Sequence, residues 1–307
     1  MNPSLLFHLI ILLVFPPLLL GIIGKTKAFF AGKIGPPLLQ PYYDILKLMQ
    51  KASVYSVTTN WIFRAAPLVS TAAIISAGIL MPIAAFKPPV QFGGDLILFV
   101  YLLALGRFVM VLAAMDTGSS FEGMGASREA TFGCLSEVTM FLNLTILALL
   151  SRSLSLSGIF LGGLSSSWLQ VGPVLILVFV SFFLILLVEN SRIPVDDPET
   201  HLELTMIHEV MVLDHSGVEL GLIIYGQAIK LFVFGTMLVA MSITFKARDY
   251  LIDIFLFIVE IIGFAVLIGV VESVMARLRL NKVPFLLFSA FIFSIFGFIV
   301  ILVRSIR

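Results

Sequence analysis

The sequence has little cysteine, few charged residues and almost no net charge. Cys134 is the one cysteine among 307 residues, which excludes an intrachain disulfide. It also excludes an iron–sulfur cluster held by this chain alone, because such clusters need several thiolates. Any redox cofactor nearby must therefore belong to another subunit. Charged residues make up 12% of the chain, about half the share in a soluble domain, and the net charge of +1 argues against a nucleic-acid partner.

The sequence instead has apolar segments long enough to cross a bilayer. Hydrophobic residues make up 60%, the mean hydropathy is +1.12, and a spanning helix needs about 20 apolar residues. We predict an all-α integral membrane protein with a single transmembrane domain over residues 1–307. No lysine or arginine precedes the first apolar run, so we expect an uncleaved first helix and no signal peptide. The eight predicted spans are 3–24, 64–86, 94–115, 132–151, 171–188, 218–245, 250–273 and 284–304.

Prolines and basic residues refine this picture. Pro16, Pro17, Pro67 and Pro82 fall inside predicted spans and are expected to bend them, whereas residues 151–167 are predicted to be a loop.

If the N-terminus is external, the internal side carries eleven lysines and arginines and the external side six, as the positive-inside rule favours. Both termini are therefore expected outside. The predicted internal loops are 25–63, 116–131, 189–217 and 274–283.

The first internal loop contains an amphipathic segment. After a rigid turn at residues 35–37, apolar side chains recur at helical spacing, with Asp44, Lys47 and Lys51 elsewhere on the wheel. The recurring residues are Leu38, Leu39, Tyr42, Ile45, Leu46 and Met49. This pattern predicts a helix lying in the membrane interface, which serves either as a surface anchor or as the wall of a portal.

Residues 188–209 concentrate charge between two apolar spans. Unpaired charge is too costly in a low-dielectric medium, so this acidic segment must be hydrated, paired or buried against a partner. Asp196 or Asp197 suits a helix cap with Pro198 in the first turn, while His201 and His208 lie seven residues apart on one face. These groups are either structural or a hydrated proton-exchange patch. A zinc site is not expected, because its closely spaced ligands are missing.

Ionisable residues also fall within the predicted spans, where they mark functional sites by default. Glu137 is the best candidate, about one turn inside the fourth span, and Lys230, midway through the sixth, is its natural counter-charge. Glu260, Glu272 and Arg107 either pair between helices or, for the last two, snorkel toward an interface.

The second internal loop, residues 116–131, is predicted to be a tight, ordered turn that packs beside the acidic segment. Its Gly123 and Gly125 do not form a nucleotide-binding loop, because no strand precedes them and the phosphate-binding lysine is missing.

Three stretches together resemble a known family. Residues 35–48 read GPPLLQPYYDILKL and resemble the amphipathic loop of the quinone-site membrane subunit of complex I. Residues 121–129 read FEGMGASRE and residues 197–209 read DPETHLELTMIHE. These two look closer to a branch of that family, the anchor subunit of membrane-bound nickel–iron hydrogenases, which includes formate hydrogenlyase subunit 4. The resemblance spans nearly the whole chain.

The resemblance implies a membrane subunit that holds a peripheral hydrogenase arm in the cytoplasmic membrane of a bacterium or archaeon. It implies an iron–sulfur small subunit, a nickel–iron large subunit and antiporter-like membrane subunits as partners, with no cofactor in this chain. Its buried acids would couple electron transfer to proton or sodium movement. The complex I form carries a Glu-x-Glu-Ser-Glu-Leu type sequence where residues 201–206 read HLELTM, which speaks against quinone binding.

Two other functions remain open on the sequence. One is the quinone-site subunit of a complex I-like dehydrogenase, and the other is a secondary transporter that works alone. The absence of an internal repeat argues against the transporter. The candidate coupling residues are Glu137, Glu189, Asp196, Asp197, Glu199, His201, Glu203, His208, Glu209, Asp214, Lys230 and Glu260. The candidate docking residues are Gln40, Tyr43, Asp44, Glu122, Arg128, Glu129 and Arg192.

Overall fold

The computed structural model describes residues 3–84, 86–196, 206–242 and 250–306, and the described chain is a bundle of α-helices. The predicted all-α membrane class is confirmed. The helices are α1 (Pro3–Val14), α2 (Pro16–Phe30), α3 (Gln40–Met49), α4 (Trp61–Leu80), α5 (Asp95–Asp116), α6 (Ser120–Ser151), α7 (Leu164–Glu189), α8 (Gly217–Ser242), α9 (Tyr250–Val274) and α10 (Val283–Ile306). A π-helical turn (Gly158–Gly163) precedes α7, and short 3₁₀ turns (Glu209–Val212 and Leu280–Lys282) precede α8 and α10.

Helices α4 to α10 each contain a segment long and apolar enough to cross a membrane, and α1 with α2 makes an eighth, bent span. The bend is 41° at Phe15, directly before Pro16 and Pro17. Proline breaks a helix at this point because it lacks an N–H and its ring crowds the preceding turn. The predicted bend of the first span is thus confirmed. The second span ends earlier than predicted, at Leu80, so Pro82 bends no helix.

The long helix α6 contradicts the predicted turn at residues 116–131. Only residues 117–119 turn, with Gly118 at a φ of +70°, and the helix runs without a break from Ser120. Gly125 faces the 3₁₀ turn before α8, where a Cβ would lie 2.9 Å from the Met211 side chain. Glycine there permits close packing of a helix. The prediction was wrong because Gly125, which looks like a turn residue in the sequence, serves a packing contact of a helix instead.

The segment 151–167 was predicted to be a loop, and this is also wrong for much of its length. Residues 158–163 form the π-helical turn, and α7 begins directly at Leu164. Helix α7 is kinked at Val171, where φ is −134°, two residues before Pro173. The kink separates the polar first part of α7 from the apolar part, Val171–Glu189, that can span a membrane.

Helix α8 lies at the centre of the bundle, where it contacts α2, α3, α4, α7 and α9. Lipid tails are as apolar as leucine, so packing and interhelical hydrogen bonds hold such a bundle together. A buried network of this kind joins α6, α7 and α10. The Asn143 amide donates to Ser181 at 2.9 Å, and Ser294 donates to the Asn143 carbonyl oxygen at 2.7 Å.

Helix α3 confirms the predicted amphipathic segment. Its one buried residue is Ile45, whereas Tyr43 and Leu46 are more than half exposed. The helix packs closely on α8, where a Cβ at Gly221 would lie 3.2 Å from the Leu48 side chain. It therefore lies against the bundle at the side where the α3–α4 connection reaches α8.

Candidate functional site

Arg107 organises a cluster of charged side chains inside the bundle. Its side chain is only 9% exposed, and its guanidinium contacts carboxylates from two other helices. Nη1 lies 2.8 Å from Glu137 and Nε lies 3.4 Å from Glu129, both on α6, while Nη2 donates to Glu189 at the end of α7. A planar guanidinium suits this task because it presents several donors in fixed directions.

Glu189 is the most buried carboxylate of the cluster, with a side chain 1% exposed. It accepts hydrogen bonds from Arg107 and Ser136, and Lys230 Nζ lies 2.7 Å from its Oε2. Lys230 also donates to the main-chain carbonyl of Glu189 at 2.7 Å. That carbonyl belongs to the last residue of α7 and has no partner within the helix, so the lysine also neutralises the negative end of the helix dipole.

The spacing of residues along α6 explains why the cluster can form. Glu129, Gly133, Ser136 and Glu137 lie at intervals of four, three and one, so they share one face of the helix. Gly133 sits under the arginine, and a Cβ at that position would lie 2.8 Å from Cδ of Arg107. The glycine therefore leaves the space that the guanidinium occupies between two turns of acidic residues.

Two cavities flank this cluster. The first is bounded by Arg107, Glu129, Glu189, His208 and Lys230, with apolar walls from α4, α5 and α8. Its volume is about 50 Å³, on the scale where one water needs about 10–15 Å³, so it has room for a few waters. Counted with its open mouth, the empty space is about 600 Å³.

The second, smaller cavity lies between the cluster and the acidic segment. It is about 10 Å³ in volume and is lined by Glu129, Ser136, Glu189, Ser191 and Asp196, among others. Glu129, Glu189 and Ser191 line both cavities. The two cavities therefore lie on either side of these three residues, and Asp196 lines the second one.

Asp196 links the two described ends of the acidic segment. One of its carboxylate oxygens accepts from the main-chain N–H groups of Ile207 at 2.9 Å and His208 at 3.1 Å. The other oxygen lies 2.8 Å from the guanidinium of Arg277, in the connection between α9 and α10. Beside it, Arg192 lies 3.4 Å from Glu272. Glu272 is thus buried and paired, rather than snorkelling as the sequence allowed.

The structure brings together only part of the predicted coupling set. Glu137, Glu189 and Lys230 meet in the cluster, but the counter-charge of Glu137 is Arg107 and that of Lys230 is Glu189, so the predicted pairing was wrong. His208 reaches the first cavity, with its buried Nε2 making no hydrogen bond to the described residues. Glu209 and Asp214 lie in the segment before α8, and Glu260 lies apart on α9. Four predicted residues lie outside the described residues: Asp197, Glu199, His201 and Glu203.

The predicted docking residues divide into two groups. Tyr43 and Asp44 are exposed on α3 and Gln40 is half-buried there, donating to Asp44 at 2.8 Å, so their docking role stays a prediction. The other four, on α6 and just after α7, contact other parts of the chain. An exposed docking role is wrong for Glu122, which is fully buried. Glu122 accepts from the main-chain N–H of Asp214 at 3.1 Å, and Arg128 donates to the Met206 carbonyl at 2.7 Å. Glu129 and Arg192 are engaged by Arg107 and Glu272, respectively.

Sequence reasoning missed the central position of Arg107, and it missed a second polar group. Glu219 on α8 accepts hydrogen bonds from Ser53 and Tyr55, and this bond to a carboxylate is the main cause that raises the pKa of Tyr55. Next to it, His215 stacks on Phe63 with ring centroids 3.9 Å apart, and burial lowers its pKa to about 4. His215 is therefore neutral near pH 7. The group ties the α3–α4 connection to α8.

Metal binding finds no support among the side chains that the structure describes, since no three His, Cys, Asp or Glu residues there could hold an ion. The charged side chains of the cluster are instead two cations and three carboxylates that pair with one another. With all five side chains ionised, the formal charge of this set is −1.

Comparison with known proteins places this geometry in context. The family described as NADH dehydrogenase matches residues 3–303. Formate hydrogenlyase subunit 4 of Escherichia coli (strain K12) is 31% identical over 307 residues, covering 97% of each chain. Hydrogenase-4 component C of the same strain is 32% identical over 279 residues, covering 88% of this chain and 86% of that protein.

A more distant relative and a solved structure complete the comparison. A subunit of the NADH-quinone oxidoreductase of Burkholderia vietnamiensis is 26% identical over 220 residues, covering 67% of this chain and 60% of that protein. A chain in the structure of the membrane-bound sulfane sulfur reductase, an archaeal respiratory membrane complex, superposes with a TM-score of 0.82 at 22% identity. It covers 97% of this chain and 98% of that one, which shows a shared fold.

Proposed function

The chain belongs to the NADH dehydrogenase family, and from that premise we propose that it is the membrane anchor subunit of an energy-converting hydrogenase of the formate hydrogenlyase type. One relative, matched over 97% of both chains, is a formate hydrogenlyase subunit, and another is a hydrogenase component. In this role it carries out no redox step itself. It anchors the peripheral arm and couples electron transfer in that arm to the movement of protons or sodium ions.

The observation that carries the coupling role is the charge balance of the buried cluster. Arg107 and Lys230 contribute two positive charges, and Glu129, Glu137 and Glu189 contribute three negative charges. Buried ion pairs hold one another ionised only while their partners stay in place. A proton on any of the three acids brings the cluster to neutrality, so the cluster binds one proton and releases it when its contacts change.

The two cavities supply a route for that proton. It reaches Glu189 or Glu129 from the side of Asp196 through the second cavity, because both acids line both cavities. Protonation of Glu189 weakens its bonds to Arg107 and Lys230, and Arg107 then turns toward Glu129 and Glu137. Glu137, with a side chain 32% exposed, is the least enclosed acid and is the exit from the cluster.

The chain segments next to the cluster lie on one face of the bundle, and this face fits a docking role. The acidic segment, the start of α6 and the α3–α4 connection converge there through Arg128, Glu122 and Glu219. We propose that an iron–sulfur small subunit and a nickel–iron large subunit bind this face, with antiporter-like subunits beside the chain in the membrane. The iron–sulfur and nickel–iron centres then lie in those partners. We further propose that the chain lies in the cytoplasmic membrane of a bacterium or archaeon, with both termini on the external side.

A quinone-site subunit is the second candidate, and the first cavity is the observation that favours it. Apolar side chains such as Leu103, Met110 and Ile223 line one half of that cavity, as in sites for small organic ligands, but its volume of about 50 Å³ would have to widen to admit a quinone ring. A purified complex that lacks nickel and reduces quinone with NADH would decide for this candidate. A nickel-containing large subunit that co-purifies with the chain would decide for the hydrogenase.

Replacing Glu137 by glutamine tests the coupling role. We expect Glu137→Gln to lower the number of ions moved per hydrogen formed several-fold, because the exit acid is lost while Glu129 and Glu189 remain. Hydrogen formation should stay near the native rate, since no redox centre is touched. The measurement is hydrogen-linked ion uptake by inverted membrane vesicles.

The control for this variant is Arg152→Gln, which removes an exposed charge at the end of α6 outside the cluster. It should leave ion uptake unchanged. Native uptake in Glu137→Gln, with the complex intact, would remove Glu137 from the pathway. Loss of hydrogen formation together with loss of assembly would indicate a structural role instead.

A further inference from the structure

Glu260 is the one predicted coupling residue in the described membrane helices that joins neither the cluster nor its cavities. It lies ten residues after the start of α9, so it is about 15 Å along the helix and close to mid-membrane. The side chain is half-buried. An ionisable group at this depth is costly and calls for a partner.

The described part of the chain offers Glu260 no cation. Helix α9 packs against α2 and α8, and the lysines of those helices are engaged elsewhere. Lys230 binds Glu189 at 2.7 Å, Lys27 lies 3.4 Å from Glu272, and Lys25 donates to the carbonyl of Ile34 at 3.0 Å. Glu272 itself lies twelve residues further along α9, about 18 Å away. The residues that the structure describes therefore leave the charge of Glu260 without a counter-charge.

The surface beside Glu260 is open to a partner from another chain. Val259 and Leu267 are 50% and 44% exposed. A Cβ at Gly263, one turn from Glu260, would meet no atom within 4 Å. Small residues of this kind let two membrane helices approach closely. The open face therefore combines an apolar contact surface, a notch and a single negative charge.

We propose that Glu260 forms an intramembrane ion pair with a lysine or arginine on a transmembrane helix of another subunit, which packs on α9 at Gly263. Charge complementarity selects this occupant, because lipid tails offer the carboxylate neither a counter-charge nor a hydrogen bond. The interface does not depend on the coupling role of the cluster. It gives Glu260 a task in assembly rather than in the proton route around Glu189.

A charge swap in the whole complex tests this interface. Glu260→Lys is expected to lower the amount of the partner membrane subunit that co-purifies with the chain at least tenfold, and Glu260→Leu to lower it less. Phe255→Lys is the matched control, since it places the same charge at an exposed position of α9 that lies roughly 140° around the helix from Glu260, and it should retain the partner. Reversing the partner's basic residue to glutamate should restore binding to Glu260→Lys.

A photoreactive residue at position 263 identifies the occupant in the assembled complex. The expected product is a crosslink to a transmembrane peptide that has a lysine or arginine within one turn of the linked residue. A lipid adduct alone, or a peptide without a basic residue, would overturn the proposal. Unchanged partner recovery in both Glu260→Leu and Glu260→Lys would overturn it as well.

Discussion

Replacing Arg107 by leucine should destabilise the chain more than any other single change in the cluster. The variant leaves Glu129, Glu137 and Glu189 with Lys230 as the remaining cation, so the formal charge of the cluster falls from −1 to −2. Removing one partner of a buried ion pair costs about 3–5 kcal/mol, because the other charge stays buried without compensation. We expect a lower midpoint of thermal unfolding for the purified complex and a lower yield of assembled complex.

Two further variants separate charge from shape in this experiment. Arg107→Lys keeps the positive charge but loses the fork that reaches three carboxylates, so its stability should fall between those of the native chain and Arg107→Leu. Arg152→Gln removes an exposed arginine at the end of α6 and should have no measurable effect. Equal unfolding midpoints for Arg107→Leu and Arg152→Gln would contradict the central role of Arg107.

Replacing Glu189 by glutamine should abolish coupling while the bundle stays folded. Glutamine keeps the size of the side chain and a carbonyl oxygen that accepts from Lys230, but it cannot bind or release a proton. A positioned proton-transfer group contributes about 10²–10⁴-fold, so ion movement per hydrogen formed should fall about 100-fold. The loss exceeds that in Glu137→Gln, because Glu189 alone touches both cations and lines both cavities.

The matched control for Glu189 is Glu219→Gln. Glu219 is also a buried carboxylate, but its partners are Ser53 and Tyr55 rather than the cluster cations. Its replacement should leave ion movement per hydrogen unchanged. A Glu189→Gln variant that forms hydrogen and moves ions at native rates would remove the cluster from the coupling mechanism.

Much of the architecture follows from composition and periodicity. Hydropathy located the spanning segments, and Pro16 located the bend in the first of them, because a proline acts on the local backbone. The amphipathic pattern at residues 38–49 predicted α3 for the same reason. Within the predicted turn at residues 116–131, the stretch from Ser120 was misassigned, since Gly125 is used for contact with Met211 rather than for a turn.

The pairing of charges could not be predicted in the same way. Hydropathy gives the depth of Arg107 and Glu137 but not the rotation of α5 and α6 about their axes, and this rotation decides which side chains meet. The sequence therefore allowed Arg107 either to snorkel toward an interface or to pair between helices. For the same reason, Lys230 was assigned to Glu137 instead of Glu189. The spacing of Glu129, Gly133 and Glu137 was the available signal for an acidic face with a gap.

Proton uptake by the cluster is tested most directly by infrared difference spectroscopy of the complex between its resting and hydrogen-evolving states. If the cluster takes up one proton during turnover, the native spectrum contains a carbonyl band of a protonated carboxylic acid. That band should shift or disappear in Glu189→Gln and remain in Glu219→Gln. A native spectrum without such a band would contradict proton uptake by the cluster, and a band unchanged in Glu189→Gln would contradict uptake at Glu189.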